Sequence, residues 1–259
     1  MSILEARNLG VKFGSFSAVD DVSVAFEKGC LTSVIGPNGA GKTTFFNLLT
    51  GFHPPSSGSV FFKDEDITQL PIHAKVQMGL TRTFQVLNVF DQLTVMENLR
   101  IAVQRLRGNP WRMLSREEGF TAVEEEVERL LEAVHLKDFR STPADEMSHG
   151  HRRQLEIGLS LGVNPEVLLL DEPMSGLGMY ETGRMSDFIE ELAETLTVVL
   201  VEHHMSVVMK ISQRVLVLQN GRLIADGAPA EIQQNSAVRE AYLGKSFDGA
   251  DKRKVSENA

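Results

Sequence analysis

Gly36-Pro37-Asn38-Gly39-Ala40-Gly41-Lys42-Thr43 satisfies the pattern G-x-x-x-x-G-K-[ST] at every position. Its glycines let the backbone curl until successive N–H groups point into one concavity, a nest for anions. A helix that follows such a loop aims the positive end of its dipole at the same point. The pattern therefore predicts a nucleoside triphosphate, ATP, held by its phosphates. Lys42 is expected to reach the β- and γ-phosphates and Thr43 to offer its hydroxyl to Mg²⁺, with Thr44 next in the same phosphate-binding turn. The flanks agree. Leu31-Thr32-Ser33-Val34-Ile35 is a β-rich run directly before the loop, and Thr44-Phe45-Phe46-Asn47-Leu48-Leu49 opens an apolar helix after it. A chance glycine-rich turn would carry neither the Lys-Thr pair nor both flanks.

Composition sets the frame around that loop. The chain has 259 residues, 42% hydrophobic and 24% charged, which is ordinary globular usage and enough for one large domain or two smaller lobes. No apolar run reaches the roughly 18 residues of a membrane span. Met1-Ser2-Ile3-Leu4-Glu5 has neither the basic nor the apolar region of a secretory signal, so none is expected. A lone cysteine, Cys30, cannot staple the fold and suits a reducing cytoplasm. The formal net charge of −9 argues against a nucleic-acid binder, which carries a basic face. Residues 245–259, polar and containing Asp251-Lys252-Arg253-Lys254, read as a solvated disordered tail.

Working outward, Val22, Val24 and Phe26 alternate with Ser23, Ala25 and Glu27, as in a half-buried strand. Residues 3–13 are expected to pair with it through a turn near Gly14-Ser15. The helix after the loop should end near Thr50, where Gly51 and Pro54-Pro55-Ser56-Ser57-Gly58 break it. From about Val86 to Leu161 helical patterning takes over. Val123, Val127, Leu130, Leu131 and Val134 recur at helical spacing, with Glu124, Glu125, Glu126 and Glu128 off the stripe. Residues 104–121, around Gly108-Asn109-Pro110-Trp111, read as a polar insert. Val167-Leu168-Leu169-Leu170 and Val198-Val199-Leu200-Val201 suit central parallel strands covered on both faces. Val215-Leu216-Val217-Leu218 then leads to a hairpin at Asn220-Gly221. The expected organisation is an ATPase domain over 1–244, with an α/β core at about 1–86 and 163–244 and a helical subdomain at about 87–162.

Around the phosphates, the apolar run ending at Leu170 delivers Asp171 and Glu172 at its carboxyl edge, where phosphates sit in such sheets. Asp171 is assigned to the metal shell and Glu172 to the attacking water. Alone, the pair would read as acidic turn residues; beside the loop at Gly36 it reads as chemistry. His203 closes another core strand and can bond a γ-phosphate oxygen. Gln85, in Thr81-Arg82-Thr83-Phe84-Gln85, could touch Mg²⁺ or the water while its segment leads into the helical lobe. Ser148, before the helical run from His151 to Leu161, is a good N-cap, and with Gly150 it leaves free N–H groups.

The order phosphate loop, Gln85, Ser-x-Gly helix start, Asp171-Glu172, His203 resembles the nucleotide-binding subunit of ABC transporters, over the chain to about Gly244. Gly79-Leu80-Thr81-Arg82-Thr83-Phe84-Gln85, the insert at Trp111, Arg152-Arg153-Gln154-Leu155-Glu156-Ile157 and Ala241-Tyr242-Leu243-Gly244 make it similar to branched-chain amino acid import ATPases of the LivG type. Urea-type and lipopolysaccharide-export ATPases are similar neighbours. The resemblance implies a P-loop NTPase core with an N-terminal antiparallel β subdomain and an inserted helical subdomain. It implies that Phe13 stacks on adenine and that Ser148 to His151 contact ATP on a partner subunit. The segment through Asp91 and Glu97 would lie near a membrane subunit's coupling helix. Two such ATPase subunits would drive two permease subunits, with a periplasmic solute-binding protein supplying the solute and this chain at the cytoplasmic face of the inner membrane.

Three positions depart from the family pattern. The usual Leu-Ser-Gly-Gly-Gln is Met147-Ser148-His149-Gly150-His151, Ser175-Gly176-Leu177 ends in Gly178 rather than Asp or Asn, and His204 follows His203 where Asp is frequent. The first two face the opposite subunit in the family, so a heterodimer with unequal sites is expected. A non-transport ABC switch protein and a small-molecule kinase are the competing readings. The first usually needs two cassettes or a long coiled coil; the second has no use for Ser148 and His203.

Overall fold

Strands β1 (Ser2–Phe13) and β2 (Phe16–Glu27) form the expected hairpin, turning at Gly14 with φ 62°. Val22, Val24 and Phe26 are buried on one face, as their alternation requires. β1 also pairs antiparallel with β4 (Ser57–Phe62), and β4 with β5 (Glu65–Asp66), completing a sheet in the order β2-β1-β4-β5. The computed structural model describes residues 1–83, 89–106 and 117–242. Gln85, Trp111 and the polar tail lie outside the described residues.

The second sheet runs β10-β9-β3-β8-β7-β6. β3 (Leu31–Ile35), β7 (Val167–Asp171) and β8 (Thr197–Val201) are buried at every position, which is what a parallel strand covered on both faces demands. β6 (Leu80–Arg82) lies parallel to β7; three residues without alternation gave no strand signal. β9 (Arg214–Gln219) and β10 (Arg222–Gly227) form the antiparallel edge. Their turn has φ 49° at Asn220 and 78° at Gly221, the left-handed pair that a tight two-residue hairpin needs. Val34, Leu169, Val199 and Leu216 pack toward the first sheet, and Leu31, Leu168, Leu170, Val198 and Leu200 toward the helices.

Helix α1 (Lys42–Thr50) ends at Gly51 with φ 79°, and α2 (Ile72–Gln77) follows the first sheet. α3 (Val95–Leu106), α4 (Glu117–Ala133) and α5 (His149–Leu161) carry the helical patterning, and the stripe Val123, Val127, Leu130, Leu131 and Val134 is buried throughout. Gly158 lets these helices approach closely, because a Cβ there would stand 2.9 Å from Leu99 and 3.0 Å from Val134. Thr94 and Glu97 form a reciprocal capping box at the start of α3, with bonds of 2.8 and 3.2 Å. Further α-helices among the described residues are α6 (Met179–Ala193), α7 (Met205–Ile211), α8 (Pro229–Gln234) and α9 (Ser236–Tyr242). The α/β class expected from the sequence is the one observed.

Lys75 of α2 is 1% exposed, its Nζ 3.4 Å from the Leu49 carbonyl at the end of α1. Burial pushes its pKa down from 10.5 to about 8, with Asp66 opposing. Between those values the unfolded chain holds one more proton than the folded chain, so stability rises with pH, by up to about 1.4 kcal/mol per unit. Urea titrations across that window should show the rise in the wild type and lose this component in K75M; an unchanged slope in K75M contradicts it.

Candidate active site

The loop from Gly36 to Thr43 is clamped from both sides by main chain. A Cβ on Gly36 would meet the Leu218 carbonyl at 2.2 Å, and one on Gly41, at φ 98°, would meet the Ala18 carbonyl at 2.4 Å. Only glycine fits either place. The β9–β10 turn reaches in as well, with Gly221 N–H donating to the Ala40 carbonyl at 3.0 Å. From α9, the Tyr242 hydroxyl meets the main chain of Gly36, and burial pushes its phenol up.

Beneath this loop lies a cavity of about 360 Å³, lined by Phe16, Ala18, residues 38–44 and Glu172. Lys42 is buried at its floor and donates from Nζ to the carbonyls of Gly36 at 2.8 Å and Pro37 at 3.3 Å. Burial lowers its pKa, while Glu172 and Asp171 pull it back up. A cation flanked by glycine N–H groups and the α1 N-terminus is an anion site on electrostatic grounds alone.

Asp171 ends β7 wholly buried, paired through Oδ2 with Arg82 Nη2 at 2.7 Å. Its Oδ1 is buried and has no hydrogen-bond partner among the described residues. An unpaired buried carboxylate oxygen beside a phosphate nest is the kind of ligand a hard divalent cation takes. Glu172 follows at φ 47°, left-handed for a non-glycine residue, with its N–H donating to the Val201 carbonyl at 2.9 Å. The strained turn swings its side chain to the cleft wall.

Two residues expected at the site, Phe13 and His203, are not among those lining the cleft. Phe13 does not line the cleft; it packs edge-on against His53 with ring centroids 6.0 Å apart, and the ring at the cleft is that of Phe16. The two are cross-strand partners at the turn of the β1–β2 hairpin, and only Phe16 is among the residues lining the cleft. His203 leaves β8 two residues after Val201, which pairs with Asp171, yet it is not among the lining residues. Its ring packs on His204 at 4.2 Å, and His204 Nδ1 meets the buried Glu202 carboxylate at 2.9 Å. Ser148 caps α5 as expected, accepting from His151 N–H at 3.2 Å. Next to it, a Cβ on Gly150 would contact Glu181 at 3.0 Å, and one on Gly176 would contact His149 at 3.3 Å, so the helix start and the Ser175–Gly178 turn are neighbours. Phe16, Arg82 and Glu202 were missed in the sequence reading, though Arg82 and Glu202 stood inside stretches singled out for their neighbours.

The family model for ABC transporters matches residues 19–175, from β2 to the turn after Glu172.

The chain belongs to the ABC transporter family.

A second model, for the branched-chain amino acid ATP-binding cassette transporter, matches residues 222–248. The high-affinity branched-chain amino acid transport ATP-binding protein BraF of Pseudomonas aeruginosa is 39% identical over 251 residues, covering 94% of this cassette and 98% of that protein. LivG of Escherichia coli, of the same description, is 37% identical over the same shares. The lipopolysaccharide export system ATP-binding protein LptB of Escherichia coli is 34% identical over 95% and 99%. A solved nucleotide-free ATP-binding cassette from an ABC transporter aligns with a TM-score of 0.82 at 30% identity, covering 95% of this cassette and all of that chain. The cassette is thus an ATP-binding protein with ATPase activity.

Replacing Gly41 by Ala should destabilise the cassette by about 1–3 kcal/mol through backbone strain. Because the loop must shift away from the Ala18 carbonyl to make room, ATP affinity should fall with it. Urea unfolding and equilibrium ATP binding check this, and wild-type values in both would contradict the close approach.

Proposed function

We propose that this cassette hydrolyses ATP to power import of branched-chain or related amino acids. It works at the cytoplasmic face of the bacterial inner membrane with two permease subunits and a second ATPase subunit, and a periplasmic binding protein delivers the solute. The observation that carries this reading is the union, in one chain, of the Lys42–Asp171–Glu172 cleft with a C-terminal match to branched-chain amino acid cassettes. The 34% identity to LptB keeps a lipopolysaccharide-export role as the alternative. The match at residues 222–248 favours the amino acid reading.

In this reading the loop N–H groups and Lys42 bind the phosphates, and Phe16 receives the adenine face. Thr43, Asp171 through Oδ1, which has no partner among the described residues, and Gln85 would hold Mg²⁺, which would neutralise charge developing on the phosphate oxygens. Glu172 orients the attacking water and accepts its proton. His203, from the end of β8, bonds the γ-phosphate. Ser148 and Gly150 complete the nucleotide site of the second subunit, beside the exposed Met179 and Tyr180 that start α6. With His149, His151 and Gly178 in place of the usual residues, we propose a heterodimer whose two sites differ.

Glu172→Gln should lower kcat by on the order of 10²–10⁴-fold, the usual share of a general base, while ATP still binds. Trapping of radiolabelled ATP in a closed dimer would register this, and unchanged turnover removes Glu172 from the role. The same change in the second subunit should cost a different amount; equal losses sink the asymmetry.

Stacking is uniform binding, so Phe16→Ala should raise the KM for ATP more than it lowers kcat, and more than Phe13→Ala does. Steady-state kinetics on both variants separates the two rings, and a larger KM effect at Phe13 would return the adenine to that residue.

A further inference from the structure

Arg153 lies in the second turn of α5, 5% exposed, and its side chain runs to the carboxyl end of β7. Nη2 donates to two main-chain carbonyls, that of Asp171 at 3.1 Å and that of Glu172 at 3.0 Å. Nη1 pairs with Glu156, one turn further along the same helix and equally buried. The left-handed φ of 47° at Glu172 bends the chain between the two carbonyls that this one guanidinium nitrogen serves. The Glu172 carbonyl also accepts from Ser175 N–H at 3.0 Å, which closes the turn behind it.

These contacts join two motifs that act on different nucleotides in the proposed dimer. The start of α5, at Ser148, faces ATP on the second subunit; Glu172 faces ATP on this one. We propose that Arg153 is a positioning residue that holds the strained backbone of Glu172 and ties it to α5, so that the aim of the base follows the position of the helix. The inference rests on the reading of Glu172 as the base. Arginine suits the task because its planar fork can meet two carbonyls and a carboxylate at once, whereas the single ammonium of lysine cannot hold all three in fixed directions.

The test uses the full chain in its assembled transporter, with ATP as probe. Arg153→Met with Glu156→Gln removes the clamp and leaves no charge buried alone; Arg153→Lys keeps the ion pair and loses the fork. Both should lower kcat, the first on the order of 10²-fold, as small misplacements of a catalytic group do. Their KM for ATP should stay within about twofold of wild type, since binding groups are untouched. Combined with Glu172→Gln, neither should lower turnover below Glu172→Gln alone, because a missing base cannot be misaimed. Thermal melts report folding separately. Turnover near wild type in the double variant, or kcat, KM and Tm falling together, overturns the clamp. Loss in Glu172→Gln without loss in the Arg153 variants overturns the clamp alone. Unchanged turnover in Glu172→Gln overturns the base assignment itself, and with it the need for a clamp.

Discussion

Asp171 carries its carboxylate to a wholly buried place, and much of the site is built around that charge. Its Oδ2 is met by Arg82, itself almost fully buried, whose Nη1 bonds Asn47 of α1 and whose Cζ lies 5.7 Å from the Phe46 ring centroid. One ion pair thus ties β7, β6 and the phosphate-loop helix together. Removing either partner of such a pair costs about 3–5 kcal/mol, because the other charge stays buried. The arrangement leaves Oδ1 without a hydrogen-bond donor among the described residues. The same geometry that locks the scaffold keeps one carboxylate oxygen free for a cation.

A second buried carboxylate, Glu202, is compensated differently. Its Oε1 accepts from Met174 N–H at 3.0 Å, and its Oε2 from His203 N–H at 2.9 Å and His204 N–H at 3.3 Å. His204 Nδ1 is also 2.9 Å from Oε2. Backbone amides from two segments converge on one charge, so the chain just after Glu172 and the turn bearing His203 are tied to each other through Glu202. His204, which departs from the family's usual Asp, finds its partner here.

What could be read from the sequence was local. The phosphate loop, the apolar runs of β3, β7 and β8, the stripe from Val123 to Val134, the Ser148 cap and the Asn220-Gly221 turn each state their conformation within a few residues. The missed groups act at a distance. Arg82 meets Asp171 from 89 positions away, and Glu202 reaches Met174 across 28. Phe13 and Phe16 carry the same ring three positions apart. Only the placement of the hairpin over the loop distinguishes them, and it favours Phe16.

By itself the sequence determined that the chain folds as a parallel α/β core around a phosphate loop, and that two carboxylates leave that core at a strand end. Glycine patterns, alternation and helical periodicity encode those features through short-range sterics and burial. Tertiary structure alone decided which aromatic ring stands at the cleft, which arginine neutralises Asp171, and which one reaches the carbonyls at Glu172. Those outcomes depend on sheet register and on how closely helices approach. A buried charge takes whichever partner the fold brings within reach, and no local pattern in the chain records that partner.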